Sequence, residues 1–475
     1  MVSGNEPAIG WGGPAVMSAW EAVMWRAEGD LRTRSTGVLL EILDGEPDWS
    51  RLFVAHERLT RRVPRLRERV VEPVLPVVSP VWSPDPHFDL AYHVQHLRLP
   101  APGSERQLLD LVAAIESRPL DRNRPPWEAV LITGLDGGRA GYVLKVHHSL
   151  SDGLGLIQLL DIAHSRTPEA STDTTCEDGE AATTRGQVSP AGVLADRLRA
   201  GVESAPADLA RASGSALSMF GQAVRDPVGS GRRVVEFGAS LRRMLTPPAA
   251  VRSPLLRDGG FGYRLVAHDV PLSDLKRAGK AAGGSVNDAF LAAVLGAFRR
   301  YHEHHGAEVE TLPLSIPISL RSTDDPLGGN RFAGVRFGAP VGEPDPAIRI
   351  AAIRDFIVHA RAEPAIGFLD LITPVLSRLP SAVLTDVAGG MTTVSDVQAS
   401  NIPGLGHPVF LAGSKVERMY PMGPRPGVAA MVTVVSYNGT CCVGVNLDPA
   451  VIGDIAVFED CLRGGFTEVV TLAEH

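Results

Sequence analysis

The stretch His147-His148-Ser149-Leu150-Ser151-Asp152-Gly153 decides how this chain is read. It follows a β-like run, Gly141–Val146, and precedes a mostly apolar helical run from Leu154 to Ala163. A histidine pair at a strand end, a carboxylate four residues after the second histidine, then glycine and a helix describe an acyl-transfer site. One imidazole acts as general base, and the carboxylate stabilises the turn that presents it. The same letters fit another reading, in which Asp152 caps the helix and both histidines are ordinary, partly buried residues. Seven residues leave both readings open, and the rest of the chain has to choose between them.

Composition narrows the classes. The chain has 475 residues, 44% of them hydrophobic, enough for two domains with real cores at about 100–200 residues each. A net charge of −8 and a pI near 6.0 offer no global basic field, so nucleic acid is not an expected partner. Four cysteines (Cys176, Cys441, Cys442 and Cys461) in so long a chain fit a reducing compartment. Cys441 and Cys442 are neighbours, expected on opposite faces of a strand, and no metal-ligand spacing is evident. No segment reaches the ~18–20 uninterrupted apolar residues of a membrane span, and no basic-then-apolar leader opens the chain. The expectation is a cytoplasmic protein, either soluble or peripheral at the inner membrane or at lipid bodies.

The six tryptophans all lie within the first 127 residues, and no aromatic residue occurs between Tyr142 and Phe220. Inside that gap, Thr167–Gln187 is rich in Thr, Ser, Ala and acid and has little to bury, as a solvated linker would. This divides the chain into an N-terminal unit (residues 1–165), a linker and helical connector (166–260) and a C-terminal unit (261–475). Helices are expected at Ser18–Ala27, Asp48–Arg62, Ser104–Glu116 (with Ser104 and Gln107 as a capping box) and Ser285–Arg300. Strands are expected at Thr36–Ile42, Ala129–Ile132, Gly141–Val146, Tyr263–Val270, Thr311–Ile318, Phe332–Pro340, Met391–Ala399, Ala429–Tyr437 and Thr440–Asn446. Strands and helices intersperse in both units, so the class is α/β, or mixed α+β. In the connector, Gly231–Leu245 sets an apolar stripe beside Arg232, Arg233, Arg242 and Arg243. That pattern suits either a helix on an anionic lipid surface or one docked on the protein, and docking is the commoner outcome.

Other stretches look deliberate. Pro125-Pro126-Trp127-Glu128 closes a proline-rich turn in which Trp127 either shapes a pocket wall or braces strands. Ser285-Val286-Asn287-Asp288 opens a helix; the capping box accounts for Ser285 and Asp288 but leaves Asn287 free to meet a polar ligand. Pro317-Ile318-Ser319-Leu320-Arg321 leads to the turn Gly328-Gly329-Asn330. Ser400-Asn401-Ile402-Pro403-Gly404 is read as following a strand, and each of these two can be strand punctuation and nothing more.

In this order, and with Val435–Gly439 and Phe88-Asp89-Leu90 added, the motifs resemble the bacterial wax ester synthase/diacylglycerol acyltransferases of the chloramphenicol acetyltransferase-like superfamily. The histidine motif alone would equally fit peptide-synthetase condensation domains; the ordered set is far more specific. The resemblance runs from about Met17 to about Leu462, sparing the connector, and it tips the histidine stretch toward catalysis. Departures are Pro126 in place of the usual leucine, a polar Ser149-Leu150-Ser151, and a looser Met17–Glu21.

The resemblance implies two similar halves meeting at a central cleft, joined by the helical connector. It implies an acyl-CoA-dependent O-acyltransferase that esterifies diacylglycerol, and long-chain fatty alcohols as well, to triacylglycerol or wax ester. His148 would be the general base in direct transfer and His147 would support the turn. Asp152 would form a structural ion pair, for which Arg321 is the candidate partner. Gly153 would mark the turn into the helix, while Asn287 and Trp127 would bind substrate or support the site. No metal or prosthetic group is implied, because long-chain acyl-CoA is a cosubstrate. Alternatives are a polyketide or glycolipid alcohol as acceptor, or a catalytically silent protein that coats lipid.

Overall fold

The computed structural model describes residues 9–75, 78–169, 188–196, 199, 250–321, 327–330, 332–362, 384–385 and 394–474. The Arg-rich segment Gly231–Leu245, most of the linker Thr167–Gln187, Cys176 and the first residues of the strand expected from Met391 lie outside the described residues.

The first half of the chain forms helix α1 (Ala19–Ala27), strand β1 (Thr36–Leu43), helix α2 (Trp49–Arg62) and strands β2 (Glu68–Val71) and β3 (Val81–Pro84). Helix α3 (Leu90–His93), β4 (Val94–Arg98), α4 (Glu105–Ser117), β5 (Trp127–Thr133), β6 (Ala140–His147) and α5 (Gly153–Ala163) follow. Beyond the connector come β7 (Arg264–Pro271), α6 (Leu272–Ala281), α7 (Val286–His304), β8 (Leu312–Ser319), β9 (Phe332–Ala339) and α8 (Pro346–Arg361). The chain ends with β10 (Val397–Ile402), β11 (Phe410–Leu411), β12 (Ser414–Met422), β13 (Ala430–Tyr437), β14 (Thr440–Leu447) and α9 (Ile455–Val470).

Local signals account for the helix starts. Ser104 with Gln107, and Ser285 with Asp288, close the reciprocal side-chain and backbone bonds of a capping box. Ser18 and Glu21 form a third box at α1. Helix α7 is apolar almost all round, with Phe290, Val294 and Phe298 fully buried, because α9, α8 and α6 all pack against it.

Two six-stranded mixed sheets carry the molecule, in the orders β11-β12-β1-β6-β5-β4 and β7-β14-β13-β10-β8-β9. Their composition does not follow the sequence division at residues 165 and 261. Strand β12, from the last quarter of the chain, pairs antiparallel with β1 (Val38 opposite Met422, Leu40 opposite Tyr420) and so extends the first sheet. Strand β1 is therefore interior, and all but one of its residues are buried, including Glu41, which pairs with His164 at 2.9 Å. The loop of residues 327–330 also reaches across to the first lobe, where Ser151 and Gly329 form an isolated parallel bridge.

Two large cores result among the described residues, with a small cluster of Val71, Val81 and Val193 beside them, and the first takes Leu265, Val435, Tyr437 and Cys442 from the second sheet. Cys441 belongs to one core and Cys442 to the other, as their alternation on β14 requires. Glu116 on α4 accepts a bond from Asn446 on β14 at 2.9 Å across the lobe boundary. Burial drives the Glu116 carboxyl well above the usual carboxylate range, although Arg425 and Lys145 pull it down. No single helix among the described residues is long and apolar enough to cross a membrane.

Candidate active site

Strand β6 delivers the histidine pair to the point where the lobes meet. Its pairing with β1 ends with His147 opposite Thr36, and the next amide, of His148, donates to the Ser35 carbonyl at 2.7 Å. Because side chains alternate along a strand, Lys145 and His147 face one side, while Tyr142, Leu144 and Val146 line a small apolar cavity on the other, beside α2 and α5. The two histidines consequently have different surroundings.

His147 is buried, at 1% exposure. Its Nδ1 accepts the Ser149 amide at 3.0 Å and lies 2.7 Å from the Ser149 hydroxyl. With Nδ1 an acceptor, the ring proton sits on Nε2, 3.2 Å from the Glu28 carboxylate. Glu28 also accepts from the Ser35 amide and the Thr36 hydroxyl. Burial raises the Glu28 pKa, yet the His147 contacts and those two bonds outweigh it and hold the carboxyl below its ordinary range. Trp25 packs edge-on against the His147 ring at 5.2 Å. Nδ1 is thus bonded within the turn, and Nε2, which makes no hydrogen bond of good geometry, faces Glu28 inside the first lobe, so the ring is held away from the second lobe.

His148 is half-buried, and its ring faces the second lobe. Nδ1 lies 3.0 Å from Asn330 Oδ1, and Asn330 Nδ2 donates to the His148 carbonyl at 2.8 Å. Phe332 of β9 meets the ring edge-on at 5.6 Å. Burial lowers the His148 pKa below its ordinary 6.5, against the Asp152 charge and the Asn330 bond, which raise it. The neutral imidazole, the form a general base needs, is thereby favoured.

The two sequence readings of Asp152 turn out to be compatible. Its Oδ1 accepts the Gly155 amide at 2.9 Å and caps α5. The same carboxylate receives Arg321 in a two-point pair, Nε to Oδ2 at 3.1 Å and Nη2 to Oδ1 at 3.0 Å. Arg321 Nη2 further donates to the Gly328 and Gly329 carbonyls at 2.7 Å each. The Asp152 amide in turn donates to the Gly329 carbonyl. Asp152 and Arg321 thus fasten the 327–330 loop, which carries Asn330, to the histidine turn.

Close approach explains the glycines. A Cβ on Gly153 would stand 2.5 Å from Ile402 Cδ1, and one on Gly155 would stand 2.1 Å from Ser151 Oγ and 2.8 Å from Gly328 Cα. Trp11 seals this junction by donating its indole N–H to the Gly155 carbonyl at 2.9 Å. Gly155→Val should therefore lower unfolding free energy by about 1–3 kcal/mol, the usual cost of overpacking, as measured by urea denaturation. Unchanged stability would mean that the lobes are not closely packed there.

The remaining expected residues are placed as follows. Trp127 is buried; its indole donates to the Leu66 carbonyl at 2.7 Å and its ring stacks on His93 at 4.6 Å. It packs inside the first lobe and also lines the small apolar cavity beside α2 and α5. Asn287 stands in the first turn of α7, and no hydrogen bond among the described residues joins it to the histidine turn. Ser400-Asn401-Ile402 does not follow a strand: it forms the end of β10, paired in parallel with β13, because Val397 to Ile402 runs on unbroken until Pro403. Asn330 and Glu28 went unassigned. Asn330 sat in a quoted turn with no local pattern to give it a role, and Glu28 lies far from the motif in sequence.

Together these elements form a two-lobed mixed α/β fold with the histidine turn where the two sheets meet. Residues 17–290 match the wax ester synthase/diacylglycerol acyltransferase catalytic domain and residues 328–469 the C-terminal domain of the same enzymes. The chain belongs to the wax ester synthase/diacylglycerol acyltransferase family. A provisionally named diacylglycerol O-acyltransferase of Mycobacterium tuberculosis H37Rv is 41% identical over 459 residues, covering 95% of this chain and 91% of the relative. The wax ester synthase/diacylglycerol acyltransferase of Marinobacter aquaeolei VT8 shares the fold at a TM-score of 0.64 and 21% identity, covering 97% of this chain and all of the other. The first condensation domain of the CDA synthetase shares it at 0.60 and 17%, covering 96% of each.

Proposed function

We propose that this enzyme moves a long-chain acyl group from coenzyme A to the free hydroxyl of diacylglycerol, and to long-chain alcohols in the same way, with His148 as the base. The observation that carries the reading is the way the second lobe engages the His148 ring: Asn330 holds Nδ1, and the hydrogen bonds of the ring among the described residues do not include Nε2. The Mycobacterium relative, named for diacylglycerol acylation, supports the choice of acceptor.

In this reading Nε2 accepts the proton of the acceptor hydroxyl as its oxygen attacks the thioester carbonyl. The tetrahedral intermediate collapses, the carbon–sulfur bond breaks, and the coenzyme A thiolate takes the proton back from Nε2. The ester and the free thiol leave, and the imidazole returns neutral. Transfer is direct, so no acyl-enzyme is formed.

The test supplies the purified chain with palmitoyl-CoA and either diacylglycerol or hexadecanol, following free thiol and lipid products. Thiol release that depends on the acceptor, with matching triacylglycerol, is expected. Release with neither acceptor would refute the proposal, and turnover with hexadecanol alone would correct the acceptor.

A further inference from the structure

We infer that Asn330 is the positioning residue of the catalytic imidazole: its amide holds His148 in the Nδ1–H tautomer and leaves the lone pair on Nε2. The inference rests on the reading of His148 as the base.

The orientation of the Asn330 amide follows from its neighbours. Nδ2 donates to the His148 carbonyl at 2.8 Å. Burial raises the pKa of the nearby Glu21 carboxyl, against a smaller lowering by Asn330. The His148 carbonyl requires a donor, so Nδ2 must face it. That leaves Oδ1, which has no hydrogen to give, facing Nδ1 of His148 at 3.0 Å. An acceptor there forces the ring proton onto Nδ1. A single side chain thus ties ring and backbone together, with Oδ1 facing the imidazole and Nδ2 holding the His148 carbonyl. Glu21 is itself fixed by the Ser18 capping box. The second lobe therefore supplies the residue that orients the first lobe's histidine.

A neutral acceptor suits a base that must return its proton. An amide oxygen steadies the imidazolium without taking a proton, so the proton gained from the alcohol stays on Nε2 for the thiolate. The other groups near His148 are already paired or apolar. Asp152 is paired with Arg321, His147 is held by Glu28, and Phe332 covers the ring edge. Asn330 is left as the contact that chooses the tautomer.

Two measurements test this. Asn330→Leu keeps the bulk and removes the acceptor. The expected result is a kcat at least tenfold lower with KM within about twofold, since ring orientation acts on chemistry more than on binding. The acidic limb of the pH profile should also move to lower pH, because the lost bond favoured the charged ring. Second, ¹⁵N-histidine NMR of the unmutated protein near pH 8, with His148→Ala for assignment, should show His148 protonated at Nδ1. The inference is overturned by a folded Asn330→Leu enzyme with unchanged kcat and limb, or by an Nε2–H signal for His148. Absence of turnover in the unmutated enzyme would instead refute the base assignment, and the NMR result would still decide the tautomer.

Discussion

His148→Ala is expected to lower kcat for acyl transfer by about 10²–10⁴-fold, the range a positioned general base supplies, and to leave the fold intact. In the proposed mechanism the variant loses the ring nitrogen that takes the hydroxyl proton, and the neighbouring imidazole is not placed to replace it. The neighbouring His147 ring is buried, with Nδ1 bonded to Ser149 and Nε2 facing Glu28. Stability should change little, since the His148 ring is not part of a hydrophobic core and its one described hydrogen bond is to Asn330. The pH dependence follows from the lowered pKa. The acidic limb of kcat/KM should lie below pH 6.5 and vanish in the variant's residual rate. The same shift has a stability sign. Between the folded pKa and 6.5 the unfolded chain binds the proton more readily, so this ring's contribution is complete above pH 6.5 and is lost as the pH falls. A variant that turns over at the unmutated rate in the palmitoyl-CoA assay would remove His148 from the chemistry.

How far the sequence foretold this site depends on how local each signal was. The histidine turn, the capping boxes at Ser104 and Ser285 and the helical span of α7 are set by residues within a few positions of one another, and they were legible. Asp152 shows how a local reading can be right and incomplete. Its cap on Gly155 follows from spacing, whereas its pairing with Arg321, 169 residues away, came from resemblance to a family. The insertion of β12 beside β1 had no local signal at all. Strand β1 reads as apolar whether its neighbour comes from the next hairpin or from the far end of the chain. Asn330 was hidden for the same reason: a Gly-Gly-Asn turn looks like strand punctuation until the opposite lobe shows what the asparagine faces. Ser400-Asn401-Ile402 misled in the other direction, because polar residues near a Pro-Gly pair suggest a loop although parallel pairing with β13 keeps them extended.

Asp152→Ala is expected to cost about 3 kcal/mol of unfolding free energy and about 10²-fold in kcat, through separate routes. The cap on α5 is lost, typically about 1 kcal/mol. The larger part comes from Arg321, whose side chain is only 10% exposed, as is that of Asp152. Breaking a buried pair on one side costs about 3–5 kcal/mol when the remaining charge has no other partner. Arg321 keeps the Gly328 and Gly329 carbonyls, which places the expected total at the lower end. The rate falls because those carbonyls belong to the loop that carries Asn330, and a displacement of about 1 Å at a positioned group can cost about 10²-fold. Asp152→Asn separates the two routes. It can still accept the Gly155 amide, so it should retain most of the cap while losing the charge, and fall between the alanine variant and the unmutated enzyme. Urea denaturation and the palmitoyl-CoA assay on Asp152→Ala, Asp152→Asn, Arg321→Met and the Asp152→Asn/Arg321→Met pair complete the cycle. Additive losses across that cycle would show that Asp152 acts as a helix cap alone. A coupling of 1 kcal/mol or more, with kcat falling in parallel, is what a clasp between the lobes requires.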